Sequence, residues 1–481
     1  MKDLELFDGV RFAVLAAESA VMDPQQRQLL ERGYEMLHAS GFDRVSLIDS
    51  EIAVSIGIVH TEMARVLMHS RSVFATTSSA LSIAAGRLPY VLGLHGPCAA
   101  LETACSAAVV ATHFAMRALQ HGECEVALAA GVNSMLIPAT SLGAASAGMT
   151  SARGRSHTFD SRADGYVRSE ACGGFTLEYS DSEDELAILG SAVRQDGRTA
   201  SLTAPNGKAQ RGLLVAALSD SHMSAMDLGL HETHGTGTAL GDPIETGSLV
   251  AAVLSSRDLP LAVVGVKANL GHAEPAAGMT GLLKMALGLQ RGDAAPNAQL
   301  RVLNPHVGNA LQSVECALPV QLVSSMADVY RQGGVSSFGY SGTIANEVMQ
   351  FVSAEELLSP ISAPLTYRRR VYPWCEACAA TEVKRVGIYA AVWAAAPVTA
   401  ASSSSLLLMG ASCSCCFTHA QVLTAHPWGF VTVLLAGSKS TAPSLSGIHL
   451  ALSSVQQLLG LSRPPRLLVL TGGALAANDK H

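Results

Sequence analysis

The sequence predicts an α/β fold, and three observations support this prediction. Short apolar runs alternate along the chain with segments of helical period, which is the pattern of α/β domains. Hydrophobic residues make up 49% of the 481 residues and charged residues 15%, so the chain can bury a large core and is not disordered. Its 43 glycines follow no Gly-X-Y period, which excludes collagen and indicates many tight turns.

The clearest strand and helix patterns lie in the first 352 residues. They predict strands over 52–59, 126–131, 262–266, 335–337 and 344–352, and helices over 106–120 and 275–290. The first helix ends before Gly122, since glycine commonly follows a helix. Gly278 and Gly281 lie inside the second helix, and small residues there indicate close packing of a buried central helix.

Composition divides the chain into three parts. Residues 1–352 have ordinary charge and frequent glycine, and they form the main predicted domain. Residues 353–385 contain three prolines and the basic run 368–370, which is typical of a linker. Residues 386–481 carry only five charged residues and are rich in Ala, Ser and Leu. We interpret this last part as a small C-terminal α/β segment, with strands near 388–393, 406–410 and 466–474 and a helix near 448–459.

Charge and cysteine usage exclude several classes of protein. The net charge of −7 argues against a nucleic-acid partner. The ten cysteines lack framework spacing and no apolar signal segment opens the chain, so we expect reduced thiols in an intracellular protein. Cytoplasm is the default compartment, with an organelle as the open alternative. The longest apolar stretch, 386–417, is interrupted by Pro397 and four serines, so we expect no membrane partner.

Cys105 is the first candidate for chemistry. It lies in Glu-Thr-Ala-Cys-Ser-Ala-Ala, where an apolar run turns into the helix predicted over 106–120. The positive end of a helix dipole lowers the pKa of a thiol and favours the nucleophilic thiolate. The alternative is an inert buried cysteine, the commonest fate of a free thiol. Cys98 and Cys124 lack this context, and we interpret them as packing residues.

His234 and His272 are the next candidates. Each lies in a glycine-rich loop after a strand-like run, where a ligand can approach the backbone closely. Neutral imidazoles there could donate hydrogen bonds to a developing oxyanion. Lys267, five residues before His272, could fix the local charge and the tautomer. Two alternatives are a simple glycine turn and a metal pair of His231 with His234; the sequence offers no convincing third ligand, so we predict no metal.

Several motifs in order carry a family resemblance. They are Thr-Ala-Cys-Ser at 103–106, His-Gly-Thr-Gly-Thr at 234–238, Gly-Asp-Pro-Ile-Glu at 241–245 and Lys-Ala-Asn-Leu-Gly-His at 267–272. Supporting motifs are Met-Asp-Pro-Gln-Gln-Arg at 22–27, Ala-Asp-Gly-Tyr-Val-Arg at 163–168 and Gly-Val-Ser-Ser-Phe-Gly-Tyr-Ser-Gly-Thr at 334–343. With these motifs, residues 6–352 closely resemble the ketosynthase (β-ketoacyl synthase) domain of type I polyketide synthases.

This resemblance implies a thiolase-like layered fold of two related halves, normally dimeric. It implies that Cys105 is the acyl-accepting nucleophile. It also implies that His234 and His272 promote decarboxylation and stabilise the enolate, with Lys267 as the lysine near the second histidine. The backbone N–H groups of Cys105 and Tyr340 match the oxyanion hole. Tyr340 stands where a phenylalanine commonly gates the acyl tunnel, so it is the expected acyl gate.

The resemblance also implies partners and a reaction. We expect a 3-oxoacyl-[acyl-carrier-protein] synthase type acyltransferase that condenses an acyl group on Cys105 with malonyl-carrier protein, in polyketide or fatty acid biosynthesis. The expected partners are an acyl carrier protein, which carries phosphopantetheine, and a second copy in a homodimer. No bound cofactor is expected, because a cysteine and two imidazole donors provide the chemistry. The sequence leaves the acyl chain length open.

Two departures from the family pattern favour an alternative. The family usually begins some tens of residues earlier with a first core strand, so we expect the domain to be N-terminally short and less stable. The usual Gly-Thr-Asn-Ala-His reads Gly-Thr-Ile-Ala-Asn at 342–346, and loss of a buried hydrogen bond there could loosen the active-site loop. The alternative is a truncated, non-catalytic ketosynthase-like partner subunit. The intact Cys105, His234 and His272 favour the enzyme.

The C-terminal part has its own resemblance. The segment 386–481 is similar to the structural half of a polyketide ketoreductase, without the glycine-rich dinucleotide fingerprint, so we expect neither reductase activity nor NADPH binding. Residues 367–374 resemble the linker that follows a ketosynthase and packs back on it. Cys375 and Cys378 form a lone Cys-x-x-Cys, which we interpret as packing or solvent-exposed thiols rather than a zinc site.

Overall fold

The computed structural model describes residues 1, 3–59, 61–180, 186–323, 331–352 and 364–372, together with strands at 406–410, 430–434 and 466–470. The chain divides into two units, Met1–Lys384 and Arg385–His481. The strand predicted at 388–393, the helix predicted at 448–459 and the cysteine pair at 375 and 378 lie outside the described residues. The boundaries of the three predicted parts therefore stay a prediction.

The described elements are numbered in chain order. The strands are β1 (Leu6–Phe7), β2 (Ile52–Gly57), β3 (Cys98–Leu101), β4 (Val126–Asn133), β5 (Ala171–Glu178), β6 (Leu186–Gln195), β7 (Leu230–Glu232), β8 (Leu261–Val264), β9 (Cys316–Ala317), β10 (Gln332–Phe338), β11 (Thr343–Phe351), β12 (Arg370–Val371), β13 (Leu406–Gly410), β14 (Phe430–Leu434) and β15 (Arg466–Leu470). The helices are α1 (Ala16–Val21), α2 (Pro24–Ala39), α3 (Arg44–Leu47), α4 (Met63–Val66), α5 (Ala75–Ser79), α6 (Leu81–Leu92), α7 (Ala107–Gln120), α8 (Pro138–Ser146), α9 (Gly207–Asp220), α10 (Gly241–Ala252), α11 (Lys267–Leu270), α12 (Ala277–Arg291) and α13 (Pro305–Leu311).

Two sheets in the first unit repeat one topology. In the sheet β3-β2-β4-β5, β2 is parallel to β3 and β4, and β5 is antiparallel to β4. In the sheet β9-β8-β7-β10-β11-β6, β7 is parallel to β8 and β10, and β11 is antiparallel to β10. The series β3-β2-β4-β5 therefore corresponds to β8-β7-β10-β11, and the unit consists of two related α/β halves.

Two helices lie between the sheets. α7 packs on β2 and β4 of the first sheet and on β11 and β6 of the second, while α12 packs on β4 and β5 and on β10 and β11. α2 and α6 cover the outer face of the first sheet, and α9 covers that of the second. These five layers form the thiolase-like α/β fold that the sequence predicts.

Close contact between the layers depends on glycine. A Cβ atom at Gly57 of β2 would lie 2.5 Å from the backbone of Ala108 in α7. A Cβ atom at Gly278 of α12 would lie 2.3 Å from a methyl carbon of Val109 in α7. The prediction that Gly278 marks a closely packed central helix is confirmed, and the two central helices meet at this point.

The helices begin and end where local chemistry favours it. Asp23 precedes α2, and its carboxylate accepts a hydrogen bond of 2.7 Å from the backbone N–H of Gln25. Pro24 follows at the first helical position, where the missing N–H has no helical partner. α12 ends at Arg291, and the next residue, Gly292, has a φ of +63°, the left-handed conformation that closes many helices.

Residues 364–372 run back over the start of the chain. β12 pairs antiparallel with β1. The Tyr367 hydroxyl donates to the Glu31 carbonyl at 3.0 Å, and its ring stacks on Phe12 with centroids 6.2 Å apart. Arg369 forms an ion pair of 2.9 Å with the buried Glu31 carboxylate. This part of the predicted linker therefore packs on the domain, and residues 373 and 374 lie outside the described residues.

In the second unit, β13, β14 and β15 form a parallel three-stranded sheet. β13 and β15 confirm the strands predicted at 406–410 and near 466–474. β14 was not predicted, although its Phe-Val-Thr-Val-Leu is rich in β-branched residues. Across the parts of the chain described here, no helix is both long and apolar enough to cross a membrane.

Candidate active site

Cys105 lies in a tight turn between β3 and α7. Ala104, just before it, has a φ of +53°, a left-handed conformation that few non-glycine residues adopt. Two strands of the second half form hydrogen bonds with this turn. The Ser106 hydroxyl donates to the carbonyl of Thr343 in β11 at 2.8 Å, and the Ser337 hydroxyl of β10 donates to the carbonyl of Cys105 at 2.8 Å. The turn therefore has a fixed place relative to the second half.

His272 lies before the corresponding turn of the second half. Glu274, which precedes α12, has a φ of +49°, so both central helices begin after a left-handed residue. His272 is fully buried, and its Nε2 atom lies 3.1 Å from the Sγ atom of Cys105. Its backbone N–H donates to the Val167 carbonyl at 2.7 Å. The preceding Gly271 has a φ of +84°, which disfavours any side chain there. The two related turns thus bring a thiol and an imidazole together.

Hydrogen bonds define the tautomers of both histidines. The Nδ1 atom of His272 accepts from the backbone N–H of Glu274 at 3.1 Å, and the Nδ1 atom of His234 accepts from that of Phe338 at 3.2 Å. An accepting Nδ1 places the proton of a neutral imidazole on Nε2. The rings lie 5.7 Å apart at 87° and border the same cavity as Cys105. The site therefore contains two Nε2–H donors.

Lys267 is a basic residue close to both histidines. Burial lowers the pKa of His234 and of His272 well below the ordinary value of 6.5, and Lys267 lowers both further. The lysine is 2% exposed, and burial lowers its own pKa, while Glu232 and Glu245 act in the opposite direction. Both histidines are consequently neutral near pH 7, and the buried Lys267 lies close to them.

The pKa of Cys105 differs from the expectation. Burial, and after it the Glu274 carboxylate, raises this pKa from 9.0 to about 11. Three groups that face the sulfur lower its pKa, but by less than burial raises it. They are Lys267 and the backbone N–H groups of Tyr340 and Cys105. The expectation that the helix start lowers the pKa is wrong, because the effect of removing the sulfur from water outweighs that of Lys267 and of the two N–H groups. The resting form at neutral pH is the thiol.

Two acidic residues to which the sequence patterns gave no role hold the loop of His234. The Glu245 carboxylate accepts from the backbone N–H groups of His234 at 2.6 Å and Gly235 at 2.8 Å. The buried Asp242 accepts from those of Phe159 at 2.8 Å and Gly237 at 3.0 Å. Both lie in the first turns of α10. Carboxylates at the start of a helix that follows a glycine-rich loop therefore indicate, from sequence, residues that hold the loop.

A buried arginine holds the loop of His272. Arg168 forms a two-pronged pair with Glu274 at 2.6 and 2.9 Å, and it donates to the Ser141 hydroxyl of α8 at 2.7 Å. The motif at 163–168 contains this arginine, but its partner could not be identified from spacing. The pair links the loop of the second histidine to α8, and the residues that follow α8, 147–149, line the cavity.

The cavity has a volume of about 290 Å³. Cys105, His234 and His272 line it. Tyr166 packs edge-on against the His272 ring, with centroids 4.8 Å apart. Tyr340 also borders the cavity and is 56% exposed, which places its side chain at the mouth. Its role as an acyl gate stays a prediction.

The altered motif at 342–346 is well bonded. The side-chain amide of Asn346 donates to the Val335 carbonyl and to the Ser336 hydroxyl, each at 3.0 Å. Ile344 is fully buried in the core of the second half. The expected loss of a buried hydrogen bond is therefore wrong for Asn346, because the amide finds partners on the neighbouring strand.

The remaining candidate residues do not line the cavity of Cys105, His234 and His272. His231 is buried on β7, where its Nε2 atom lies 3.2 Å from the Ser336 hydroxyl, and burial lowers its pKa to about 4. Within the described ranges, no three His, Cys, Asp or Glu residues are grouped to hold a metal ion. Cys124 packs in the core, as predicted. Cys98 is exposed, so its interpretation as a packing residue is wrong.

Comparison with known proteins identifies the family. "Beta-ketoacyl synthase, N-terminal domain" matches residues 1–182, and "Beta-ketoacyl synthase, C-terminal domain" matches residues 186–301. The chain is 38% identical over 361 residues to one component of the phenolphthiocerol/phthiocerol polyketide synthase of Mycobacterium tuberculosis, covering 73% of this chain and 19% of that protein. It is likewise 38% identical over 370 residues to another component of the same synthase, covering 75% of this chain and 24% of that protein.

Solved structures give the same result. The ketosynthase from module 6 of the bacillaene synthase of Bacillus subtilis 168 aligns with a TM-score of 0.68 at 32% identity, covering 73% of this chain and 64% of that chain. An oxazolomycin ketosynthase domain of Streptomyces albus JA3453 aligns with a TM-score of 0.69 at 32% identity, covering 74% of this chain and 65% of that chain. The chain spans about a fifth of the length of the polyketide synthase proteins it matches.

Proposed function

Because the chain belongs to the β-ketoacyl synthase family, we propose that it catalyses the decarboxylative Claisen condensation of an acyl thioester with malonyl-carrier protein. The observation that carries this proposal is the meeting of Cys105, His234 and His272 in one cavity. In this proposal the enzyme is a 3-oxoacyl-[acyl-carrier-protein] synthase type acyltransferase of polyketide or fatty acid biosynthesis. The phosphopantetheine arm of an acyl carrier protein presents both substrates, and the enzyme binds no cofactor of its own.

In the first step, the acyl group moves to Cys105. The sulfur attacks the thioester carbonyl, and the carrier thiol leaves with the proton that the Cys105 thiol gives up. Because the pKa of Cys105 is raised to about 11, loss of this proton accompanies attack rather than preceding it. The backbone N–H groups of Cys105 and Tyr340 face the sulfur, and they would donate to the carbonyl oxygen as it gains negative charge.

In the second step, the malonyl group loses carbon dioxide. The electron pair of the broken C–C bond forms an enolate, whose oxygen becomes negative. The Nε2–H groups of His234 and His272 are suited to donate to this oxygen, because both rings are neutral and oriented through Nδ1. The buried Lys267 adds a positive field without a proton transfer.

In the third step, the enolate carbon attacks the acyl carbonyl carbon on Cys105. A tetrahedral oxyanion forms and collapses, which breaks the C–S bond and releases the β-ketoacyl-carrier product. The Cys105 thiolate then takes one proton from solvent, which restores the thiol. That single proton balances the negative charge that entered as the malonyl carboxylate.

An acyl adduct tests the proposal. The full chain would be incubated with a short acyl thioester of N-acetylcysteamine and analysed by intact mass and peptide mapping, beside Cys105→Ala. One acyl group on Cys105 of the original chain, with none on the variant, supports the proposal. A chain that stays unmodified, or is modified equally in both forms, favours the non-catalytic partner subunit.

A further inference from the structure

A buried ion pair of the second half does not line the catalytic cavity. Glu232, the last residue of β7, is 1% exposed. Its Oε2 atom accepts a hydrogen bond of 2.6 Å from the ammonium group of Lys284 in α12. Its Oε1 atom accepts one of 2.6 Å from the backbone N–H of Val266. Both oxygens of this carboxylate are therefore bonded, one to a cation and one to the main chain.

The pair joins the three segments of the second half that carry site residues. β7 leads into the loop of His234, which follows Glu232 by two residues. Val266 directly precedes Lys267, the first residue of α11. α12 follows the loop of His272. A single carboxylate thus connects all three segments.

α12 packs closely on the side chain of Glu232. A Cβ atom at Gly281 would lie 3.2 Å from the Cγ atom of Glu232, which is tighter than most contacts of that kind. Lys284 lies three residues later on the same side of the helix, and its side chain is 17% exposed. Glycine at position 281 therefore lets α12 come near enough for Lys284 to reach the carboxylate.

Charge links this pair to Lys267. Burial lowers the pKa of Lys267, and Glu232 comes first among the groups that raise it, before Glu245. Lys284 lowers this pKa, but by less than Glu232 raises it. The pair as a whole therefore favours the protonated lysine. The other titratable groups that interact with Lys267 are the Cys105 thiol, the imidazoles of His234 and His272, and the Asp242 carboxyl.

We propose that the Glu232–Lys284 pair positions Lys267 for the condensation. Glu232 holds the turn before this lysine and serves as its counter-charge, and Lys284 holds the Glu232 carboxylate in place. A lysine kept positive in this way favours the thiolate of Cys105 and stabilises the enolate oxygen. The inference rests on the proposed function, and it deepens that function by adding two residues that do not line the cavity.

Two substitutions separate the charge of the pair from its packing. Glu232→Gln keeps a side-chain oxygen for the Val266 N–H but removes the negative charge, and the partly exposed Lys284 can then turn toward solvent. Lys284→Met keeps an apolar stem and leaves the Glu232 charge to act on Lys267 alone. Lys284→Arg is the conservative variant. Arg291→Met is the matched control, because it removes an exposed cation from the same helix.

The first measurement is alkylation of Cys105 by iodoacetamide at pH 8, followed by peptide mapping, which requires no enzymatic activity. Glu232→Gln should react at least about threefold more slowly, because the thiolate then forms beside a lysine that loses its proton more easily. Lys284→Met should react at least as fast as the original chain, and Lys284→Arg and Arg291→Met should react like it. A purely structural role predicts that looser packing admits water to the sulfur and speeds alkylation in Glu232→Gln. Equal or faster alkylation in that variant overturns the proposal.

A double variant keeps the test valid where a single variant does not fold. Glu232→Gln/Lys284→Met leaves no unpaired charge in the interior. Circular dichroism would confirm that it is folded, and it should still react more slowly than the original chain. Reaction at the original rate would overturn the proposal.

The second measurement is malonyl decarboxylation in the same proteins. Glu232→Gln should lower kcat by about tenfold while KM changes little, because the charge of Lys267 acts on the developing oxyanion rather than on the bound substrate. An unchanged kcat contradicts the role of the pair. An original chain that releases no carbon dioxide contradicts the proposed function instead, and the alkylation rates then decide the role of the pair.

Discussion

The Nε2 atom of His272 lies 3.1 Å from the Sγ atom of Cys105, although 167 residues separate them. The reason is the internal duplication. Cys105 follows β3 and His272 follows β8, and these strands hold the same place in the two sheets. Each precedes a central helix that begins after a left-handed residue, Ala104 or Glu274. The relationship exists only when both halves are folded together, so activity reports on the whole first unit.

Cys105→Ala should abolish self-acylation, whereas Cys98→Ala should leave it within about twofold of the original rate. Cys105 faces two backbone N–H groups and Lys267, but Cys98 is an exposed thiol without such stabilisation. Peptide mapping after a brief incubation with an acyl thioester measures the site of modification. An adduct mainly on Cys98 or Cys375 would contradict the assignment.

His234→Ala and His272→Ala should slow malonyl decarboxylation far more than self-acylation. Loss of one donor to a developing oxyanion typically costs about 100-fold to 1,000-fold in rate. In the proposed mechanism, self-acylation relies instead on the backbone N–H groups of Cys105 and Tyr340, which neither variant removes. Release of carbon dioxide from malonyl-carrier protein and acyl transfer to Cys105 would be measured separately. Unchanged decarboxylation in both variants would falsify the role given to the imidazoles.

Alkylation of Cys105 by iodoacetamide should accelerate steadily between pH 7 and pH 9. The reactive species is the thiolate, and a pKa of about 11 makes its fraction rise about tenfold per pH unit over that range. Lys267→Met removes a charge that lowers this pKa, so the variant should react more slowly at each pH. A rate that levels off below pH 8 would show that the thiolate is already formed near neutrality.

Sequence patterns sufficed for the parts of the fold that depend on local spacing. The period of apolar residues located β2, β4 and both central helices, and glycine inside a helix identified the contact of Gly278 with α7. Short motifs singled out the residues that the fold gathers in one cavity. These features can be predicted from the sequence because each depends on residues that are close together along the chain.

The remaining features depend on the whole fold. The raised pKa of Cys105 comes from burial between the two halves and from Glu274, which lies 169 residues away. A helix start seen in isolation suggests the opposite shift. The pairing of Arg168 with Glu274 likewise joins residues whose proximity no spacing indicates. Asn346 departs from the family motif, yet its partners on β10 become visible only once the sheet is formed.

Glu347→Gln should stabilise the protein at pH 7 by about 1–3 kcal/mol. Glu347 is fully buried on β11, and burial raises its pKa well above 4.5, with the Ser191 hydroxyl offsetting this only partly. A raised pKa in the folded state means that the folded protein binds the proton more tightly. The stabilising contribution of the Glu347 carboxyl is therefore complete below about pH 4.5. It is lost as the pH rises toward and through the pKa of this carboxyl in the folded protein.

Urea unfolding at pH 5 and pH 8 checks this prediction. The original chain should lose more free energy of unfolding between these pH values than Glu347→Gln does. Glu178→Gln, a substitution of an exposed glutamate, should behave like the original chain. Equal pH dependence in Glu347→Gln and the original chain would mean that Glu347 ionises without cost.

We expect a homodimer that pairs through the region 124–149. Within that region, α8 contains no buried residue, and Leu142 is 66% exposed. Met135, Leu136 and Ile137 lie just before α8 and are half-buried, so α8 supplies the free apolar surface. An obligate interface typically buries more than about 2,000 Å² and excludes charge from its centre.

Light scattering should therefore give twice the chain mass for the original protein and the monomer mass for Leu142→Asp. Leu259→Asp, at a residue that is 63% exposed outside this region, should stay dimeric. A stable, active monomer at micromolar concentration would contradict the dimer, and dissociation of both variants would place the interface elsewhere.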